Sequence, residues 1–170
     1  MKSDSPESPR FESVRRSLAL AIALALASLQ RRKMANYWVF LADPEDYGWS
    51  HLTKAGRAVW DGIRNARAQA NLRAAEQGDL ALIYHTAPDK ALMGIARVTK
   101  KAYPDPKAEE RVVVDVAPVQ ALARPLPLAE LKSHEVLKEM SFVKMPRVAV
   151  QRVTDKQWQA AMKLSGTTMK

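Results

Sequence analysis

The chain has 170 residues, of which 47% are hydrophobic and 26% charged, a balance typical of a single globular domain. It has no cysteine, which excludes disulfides, thiolate metal sites and a thiol nucleophile, suits a reducing compartment and leads us to expect a cytoplasmic protein. Its formal charge of +9 and isoelectric point of about 9.9 favour polyanionic partners.

Residues 1–33 differ in character from the rest of the chain. A polar, Ser/Pro-rich stretch leads into an apolar run, Leu18 to Leu29, that is flanked by basic residues. This run of about twelve residues is too short to cross a bilayer, so we expect no stable membrane insertion, although its flanks are similar to those of a signal peptide. Residues 1–33 hold seven Lys/Arg and three Asp/Glu, which leaves +5 for residues 34–170.

The next part of the chain predicts one strand and two helices. Tyr37 to Leu41 is dense in aromatic and β-branched residues, as in a strand. Residues 44–48 are predicted to form a loop, followed by a short helix from about Ser50 to Ala55. Ala66 to Glu76 has Ala, Leu and Arg at helical spacing and is followed by Gln-Gly-Asp, which stops a helix and starts a turn.

The last part predicts several strands and a final helix. The segments with strand character are Leu80 to Thr86, Ala91 to Thr99, Arg111 to Val116 and Arg147 to Val153. Residues 103–110 are predicted to form the most mobile loop. Asp155 is expected to cap a helix that buries Trp158 and ends near Gly166.

Short strands with intervening helices predict an α+β fold, a small mixed β-barrel with flanking helices and a ligand mouth where strands end. Trp60, Gly62, Arg64 and Asn65 suit such a mouth. An indole offers a face for stacking, glycine lets backbone amides approach a ligand, and Arg and Asn supply donors near a helix N-terminus. The alternative is a core tryptophan followed by a solvated amphipathic helix, which is the common arrangement.

Several separated motifs have the order and spacing of one known family. They are Met34 to Trp38, Trp60 to Asn65, Tyr84 to Thr86, Ala102 to Pro106, Val113 to Val116 and Pro127 to Lys132. Over residues 34–168 the chain resembles the EVE domains of the PUA-like superfamily, small β-barrels related to YTH and SRA-type modules. The resemblance implies a module that binds modified bases in DNA or RNA without catalysis and without a cofactor, and we expect a monomer.

Family members usually begin at the position of Met34. Residues 1–33 therefore form an extension outside the domain. Two interpretations of it stand: a start site assigned too far upstream, or a real export or anchoring segment.

We expect three segments to converge on the base pocket: Ala42 to Pro44, Trp60 to Asn65, and Tyr84-His85-Thr86. Trp60, with Trp38 or Trp49 as a second wall, would enclose a base flipped out of its stack. Asp43 would accept a hydrogen bond from an exocyclic amine.

The remaining roles concern the base edge and the phosphates. Asn65 and Thr86 would read the rest of the edge, and Arg64, Arg67 and Arg73 would hold phosphates, which sets register without reading sequence. Tyr103 would either close the edge of the pocket or simply end a strand.

The chain departs from the family pattern in two places. Many members have Lys-Ser-Glu-Pro where this chain has Leu41 to Pro44, and Tyr-Gln-Ala-Arg-Asn where it has Ala66 to Ala70. The fold should survive these changes, whereas the ligand preference need not. The alternative function is therefore an EVE-like fold redirected to a small molecule or a protein partner.

An enzymatic function has little support in the sequence. The three histidines, His51, His85 and His134, have no partner at metal-ligand spacing. No nucleophile elbow, phosphate-cradling loop or dinucleotide fingerprint occurs. His85 beside Thr86 is the one candidate general base, and a strand-end histidine making structural hydrogen bonds is the simpler interpretation.

Overall fold

The computed structural model describes residues 9–30 and 35–169, which fall into two separate compact units. The first unit contains helix α1 (Pro9–Gln30), on which Leu18, Leu20 and Ile22 are exposed. Within the described ranges no helix is long and apolar enough to cross a membrane. The expected domain start at Met34 lies outside the described residues.

The second unit is a mixed α+β domain, as predicted, built on one six-stranded sheet. Its strands are β1 (Tyr37–Ala42), β2 (Ala58–Trp60), β3 (Leu80–His85), β4 (Ala91–Asp105), β5 (Ala108–Pro127) and β6 (Val150–Val153). Its helices are α2 (Pro44–Tyr47), α3 (Trp49–Ala55), α4 (Ala66–Ala74), α5 (Leu128–Ser133), α6 (Ser141–Lys144) and α7 (Asp155–Ser165), with a 3-10 turn at Leu137–Glu139.

The strand order is β2-β5-β4-β3-β1-β6. β1 runs parallel to β3, and the other neighbouring pairs are antiparallel. The parallel pair needs a crossover, which α2, α3, β2 and α4 supply. β2 and β6 lie at the two ends of this order and do not pair with each other, so the sheet is open in its hydrogen bonding and the predicted barrel is not confirmed.

Apolar side chains cover both faces of the sheet. Along β1, Trp38 and Phe40 enter one buried cluster, together with Leu72 of α4. Val39 enters a second cluster on the opposite side, together with Trp158 of α7. This division follows from the two-residue period of a strand and places helices against both faces.

Two predicted loops are regular structure. Residues 44–47 form α2, because Asp43 caps the helix by accepting the Glu45 N–H at 2.9 Å and Pro44 suits its first turn. The loop predicted over 103–110 is a hairpin, since β4 and β5 continue to Asp105 and Ala108. Their turn is closed when Asp105 accepts the Lys107 N–H at 2.8 Å.

The last helix has a different cap from the predicted one. Thr154 accepts the Gln157 N–H at 3.2 Å, and the Gln157 side chain accepts the Thr154 N–H at 3.1 Å. This reciprocal pair is a capping box, and Asp155 lies in the first turn. The helix ends as predicted at Gly166, whose φ of 70° is the left-handed conformation that glycine adopts readily.

Candidate functional site

A cleft of about 590 Å³ lies between the end of β1 and the end of β2. That volume is within the usual range for a small-molecule pocket, about 300–1,000 Å³. Residues from two predicted segments and from α2 line it: Leu41, Ala42, Asp43, Asp46, Tyr47, Ala58, Val59, Trp60, Asp61, Gly62 and Ile63. The end of β1 and the segment after Trp60 therefore converge, as expected.

Two aromatic side chains form the walls of this cleft. Trp60 ends β2, is 7% exposed and packs on Phe40 at 5.4 Å between ring centroids. Tyr47, in the last turn of α2, is half-buried and stands edge-on to Trp60, at 6.4 Å and 86°. Burial raises the pKa of the Tyr47 phenol. Tyr47 was not predicted as a site residue, because its segment was predicted to be a loop.

The predicted second walls, Trp38 and Trp49, lie elsewhere. Trp38 is fully buried, and its Nε1–H donates to the buried carboxylate of Asp79 at 2.9 Å, so it belongs to the core. Trp49 packs so closely on Gly94 that a Cβ built there would come within 2.5 Å of its ring. Both tryptophans therefore support the fold.

The polar end of β1 is arranged around the start of α2. Asp43 is exposed and lines the cleft, and one of its carboxylate oxygens accepts the Glu45 N–H. Pro44, in the first turn of α2, is half-buried and does not line the cleft. The positions of the family's usual Lys and Ser, Leu41 and Ala42, do line it. The cleft thus lacks the polar groups that many members have there.

Some residues after Trp60 line the cleft, and another caps α4. Gly62 lines the cleft and has a φ of 76°, which non-glycine residues rarely adopt. Asn65 does not line it, because its side-chain oxygen accepts the Arg67 and Ala68 N–H groups at 3.0 and 3.1 Å and so caps α4. The structure thus gives Asn65 a capping role, in place of the predicted edge-reading position.

The three predicted phosphate-binding arginines are exposed and lie outside the cleft lining. Arg64 directly follows Ile63, which does line it. Arg67 contacts the Sδ of Met145 at 3.4 Å, and Arg73 donates to the Glu110 carbonyl at 3.4 Å. Their positions suit contacts with a phosphate backbone at the surface.

The third predicted segment, at the end of β3, does not line the cleft. Tyr84 lies in the second apolar cluster against Phe142, and burial raises its pKa. His85 is buried, accepts the Trp49 N–H at Nε2 at 2.8 Å and contacts Asp89 through Nδ1 at 2.7 Å. Thr86 donates its N–H to the Ala42 carbonyl at 2.9 Å. This segment therefore braces the end of β1 and the start of α3.

Tyr103 also lies away from the cleft lining. Its hydroxyl donates to Asp115 at 2.6 Å, and this hydrogen bond together with burial raises the pKa of Tyr103 to about 12. Burial disfavours the Asp115 carboxylate, but hydrogen bonds from Arg57 and Tyr103 outweigh it and lower the Asp115 pKa. Lys100 lies 3.8 Å from the centroid of the Tyr103 ring. These side chains on β4 and β5, with Arg57 from just before β2, form a cluster of mutually paired groups.

The cleft itself carries negative charge. Asp43, Asp46 and Asp61 line it, with no Lys, Arg or His among the lining residues. Asp61 accepts from Lys107 Nζ at 2.7 Å, and this contact raises the Lys107 pKa. No group of three or more His, Cys, Asp or Glu among residues 9–30 and 35–169 could hold a metal ion. The aromatic side chains of the cleft can stack against a flat ring, and its carboxylates can accept hydrogen bonds from that ring.

Comparison with known proteins identifies relatives over most of the second unit. Residues 36–164 match the EVE domain family. Human thymocyte nuclear protein 1 is 31% identical over 173 residues, covering 78% of this chain and 75% of that protein. A structure of human THYN1 in complex with 5-methylcytosine-containing DNA superimposes with a TM-score of 0.72, at 25% identity over 79% of this chain and 99% of that one.

Two other solved structures share the fold. Protein Atu2648 from Agrobacterium tumefaciens superimposes with a TM-score of 0.76, at 30% identity over 78% of this chain and 94% of that one. The YTH domain of Zygosaccharomyces rouxii MRB1, solved with N6-methyladenosine RNA, has a TM-score of 0.53 at 14% identity over 81% and 91%. At that identity the YTH likeness concerns the fold alone.

Proposed function

This chain belongs to the EVE domain family, and we propose that it is a non-catalytic nucleic-acid-binding protein whose cleft receives a modified base. The observation that carries the proposal is the position of Trp60 and Tyr47 in one cleft of small-molecule size. Support also comes from human THYN1, which has the same fold and was solved with DNA containing 5-methylcytosine.

Base recognition in such a cleft requires the base to leave its stack, at a cost of a few kcal/mol. Stacking on an aromatic side chain returns about 1–3 kcal/mol per base, and hydrogen bonds add to this. Tyr47 is the more exposed of the two rings and offers the stacking surface, whereas Trp60, 7% exposed, bounds the cleft at an angle to it. The Asp43 carboxylate, which keeps one oxygen free of the α2 cap, accepts from an exocyclic amine.

The surface outside the cleft supplies the sequence-independent part of binding. Arg64, Arg67 and Arg73 are exposed on or next to α4, where cations attract phosphates and set the position of the strand. Residues 34–170 carry a formal charge of +5, which favours approach of a polyanion. Affinity is thus expected to fall with salt, while preference among bases is expected to arise in the cleft.

The test is fluorescence-anisotropy titration of the full chain with short DNA and RNA oligonucleotides that are identical except for one modified base. Tighter binding of a modified oligonucleotide, reduced in Tyr47→Leu, supports the proposal. Tyr37→Leu is the matched control, because Tyr37 stacks on Trp158 in the other apolar cluster, at 4.2 Å. Equal binding of modified and unmodified oligonucleotides would contradict the proposal.

A further inference from the structure

The charge of the cleft is opposite to that of the domain around it. Three aspartates line the cleft without a lining Lys, Arg or His, whereas residues 34–170 as a whole carry +5. A phosphate group is therefore repelled from the cleft although it is attracted to the domain. The cleft selects against anions and in favour of groups that donate hydrogen bonds or carry positive charge.

These aspartates differ in how far their charge is compensated. Asp61 is paired with Lys107. Asp43 accepts one backbone N–H, and the Asp46 carboxylate makes no hydrogen bond or ion pair within the described part of the chain. Two carboxylates at the cleft thus have no cationic partner among those residues. A ligand that fills the cleft removes water from them, which is unfavourable unless the ligand compensates their charge.

A second, independent feature of the cleft is the indole N–H of Trp60. Trp60 is more than nine-tenths buried and lines the cleft, yet within residues 35–169 its Nε1–H has no acceptor. By contrast, the Trp38 Nε1–H is bonded to Asp79. The Trp60 Nε1 is not among the fully buried side-chain atoms without a partner, so this donor is open to solvent and is available to a ligand that carries an acceptor.

We propose, resting on the function proposed above, that the cleft prefers a nucleobase with a positively charged ring and a carbonyl oxygen. Such bases arise by methylation of a ring nitrogen, as in 3-methylcytosine and 7-methylguanine. The cation interacts with the π-face of Tyr47 and compensates Asp43 and Asp46. The carbonyl accepts the Trp60 N–H. A neutral base meets only part of these requirements, because it leaves the carboxylate charge uncompensated.

The test compares single-stranded oligonucleotides in which one cytosine is unmodified, 5-methylated or 3-methylated. Each of the two methylated bases carries one added methyl group. The use of single strands removes any difference in base pairing. Fluorescence anisotropy with the full chain at fixed salt is expected to give at least about tenfold tighter binding of the 3-methylcytosine strand. Equal or tighter binding of the 5-methylcytosine strand would overturn the inference.

Variants identify the source of the preference. Asp46→Asn and Asp43→Asn remove charge, and asparagine at position 43 preserves the α2 cap. Both are expected to bring the affinity ratio of 3-methylcytosine to 5-methylcytosine towards one. Lys107→Met frees Asp61 and is expected to raise the ratio. Asp155→Asn, on α7 and outside the cleft lining, is the control and should leave the ratio unchanged.

The outcomes separate this inference from the function on which it rests. If the 5-methylcytosine strand binds more tightly than both the unmodified and the 3-methylcytosine strands, the base-reading function stands and the charge preference is wrong. If all three strands bind equally, the proposed function itself fails. A preference for 3-methylcytosine that persists unchanged in both Asp→Asn variants would also overturn the inference, because the carboxylates would then not be its cause.

Discussion

The ring of Tyr47 stands at 86° to the indole of Trp60, with 6.4 Å between the centroids. Two rings at right angles cannot stack in parallel on both faces of one base. Trp60 and Tyr47 therefore have different roles. One ring provides the stacking surface, and the other limits how far a base can enter and tilt.

Replacement of Tyr47 by leucine should weaken binding of a modified oligonucleotide by about 1 kcal/mol, or roughly fivefold. The loss comes from an aromatic contact at the cleft, because Tyr47 is half-buried and leucine retains much of the apolar volume. Anisotropy titration measures the change. An unchanged affinity for the modified strand would show that Tyr47 does not contact the base.

Replacement of Arg64 by glutamine should weaken binding of modified and unmodified strands equally. A phosphate contact carries no base information, and its loss should reduce the slope of log affinity against log salt by about 0.7–0.9. Titrations at several salt concentrations measure that slope. Lys156→Gln, on α7, serves as a control for the general effect of net charge. A selective loss for the modified strand would place Arg64 in the base pocket instead.

Replacement of Asn65 by alanine should destabilise the domain by about 0.5–2 kcal/mol, because the first N–H groups of α4 lose their acceptor. Asn65→Asp, which can also cap, should lose much less. Urea denaturation of the full chain measures both variants. The ratio of affinities for modified and unmodified strands should remain that of the wild type, and a change in it would restore Asn65 as an edge reader.

Replacement of Trp38 by phenylalanine should destabilise the domain by about 1–3 kcal/mol, because the buried Asp79 carboxylate loses the indole donor. Base preference should be unaffected in the folded variant, since Trp38 is fully buried in the core. Urea denaturation and oligonucleotide titration test the two statements. A loss of base preference with normal stability would contradict this assignment of Trp38.

The free energy of unfolding depends on pH through Tyr103 and Asp115, and the two residues act in opposite directions. The Tyr103 pKa is raised from 10.0 to about 12, so its contribution is complete below pH 10 and is lost as the pH rises towards 12. The Asp115 pKa is lowered, so its contribution is present above its ordinary pKa of 3.8 and is lost as the pH falls through the lowered value.

Tyr103→Phe should therefore cost about 1–2 kcal/mol at neutral pH and reduce the loss of stability between pH 10 and 12. Urea denaturation across that pH range measures the effect. Tyr37→Phe, a tyrosine of the other cluster, is the comparison. An identical alkaline dependence in Tyr103→Phe and the wild type would contradict the pairing with Asp115.

Local patterns predicted much of the fold. The aromatic and β-branched run from Tyr37 to Leu41, the helical spacing from Ala66 and the glycine at 166 gave elements close to those observed. The hairpin over 103–110 was missed because two prolines and a charged turn are typical of loops. Long-range pairing of β4 with β5 decided that segment, and no local pattern contains it.

The site was predicted in part for the same reason. Trp60, Gly62 and Asp43 could be placed at one cleft because strand ends and glycine turns mark ligand sites. The position of Tyr47 at the cleft was not predicted, because it depends on the helix that Asp43 caps. Trp38 and Asn65 were assigned to the ligand because sequence cannot show that Asp79 and the α4 amides already occupy them.

The most direct test of base entry into the cleft is the ¹H–¹⁵N spectrum of the full chain titrated with a strand carrying one modified base. The indole N–H of Trp60, which has no acceptor among the described residues, should shift strongly. That of Trp38, bonded to Asp79, should stay in place. Amide shifts should centre on residues 42–47 and 58–63. Shifts confined to the surface around Arg67 and Arg73, and identical with an unmodified strand, would contradict the account.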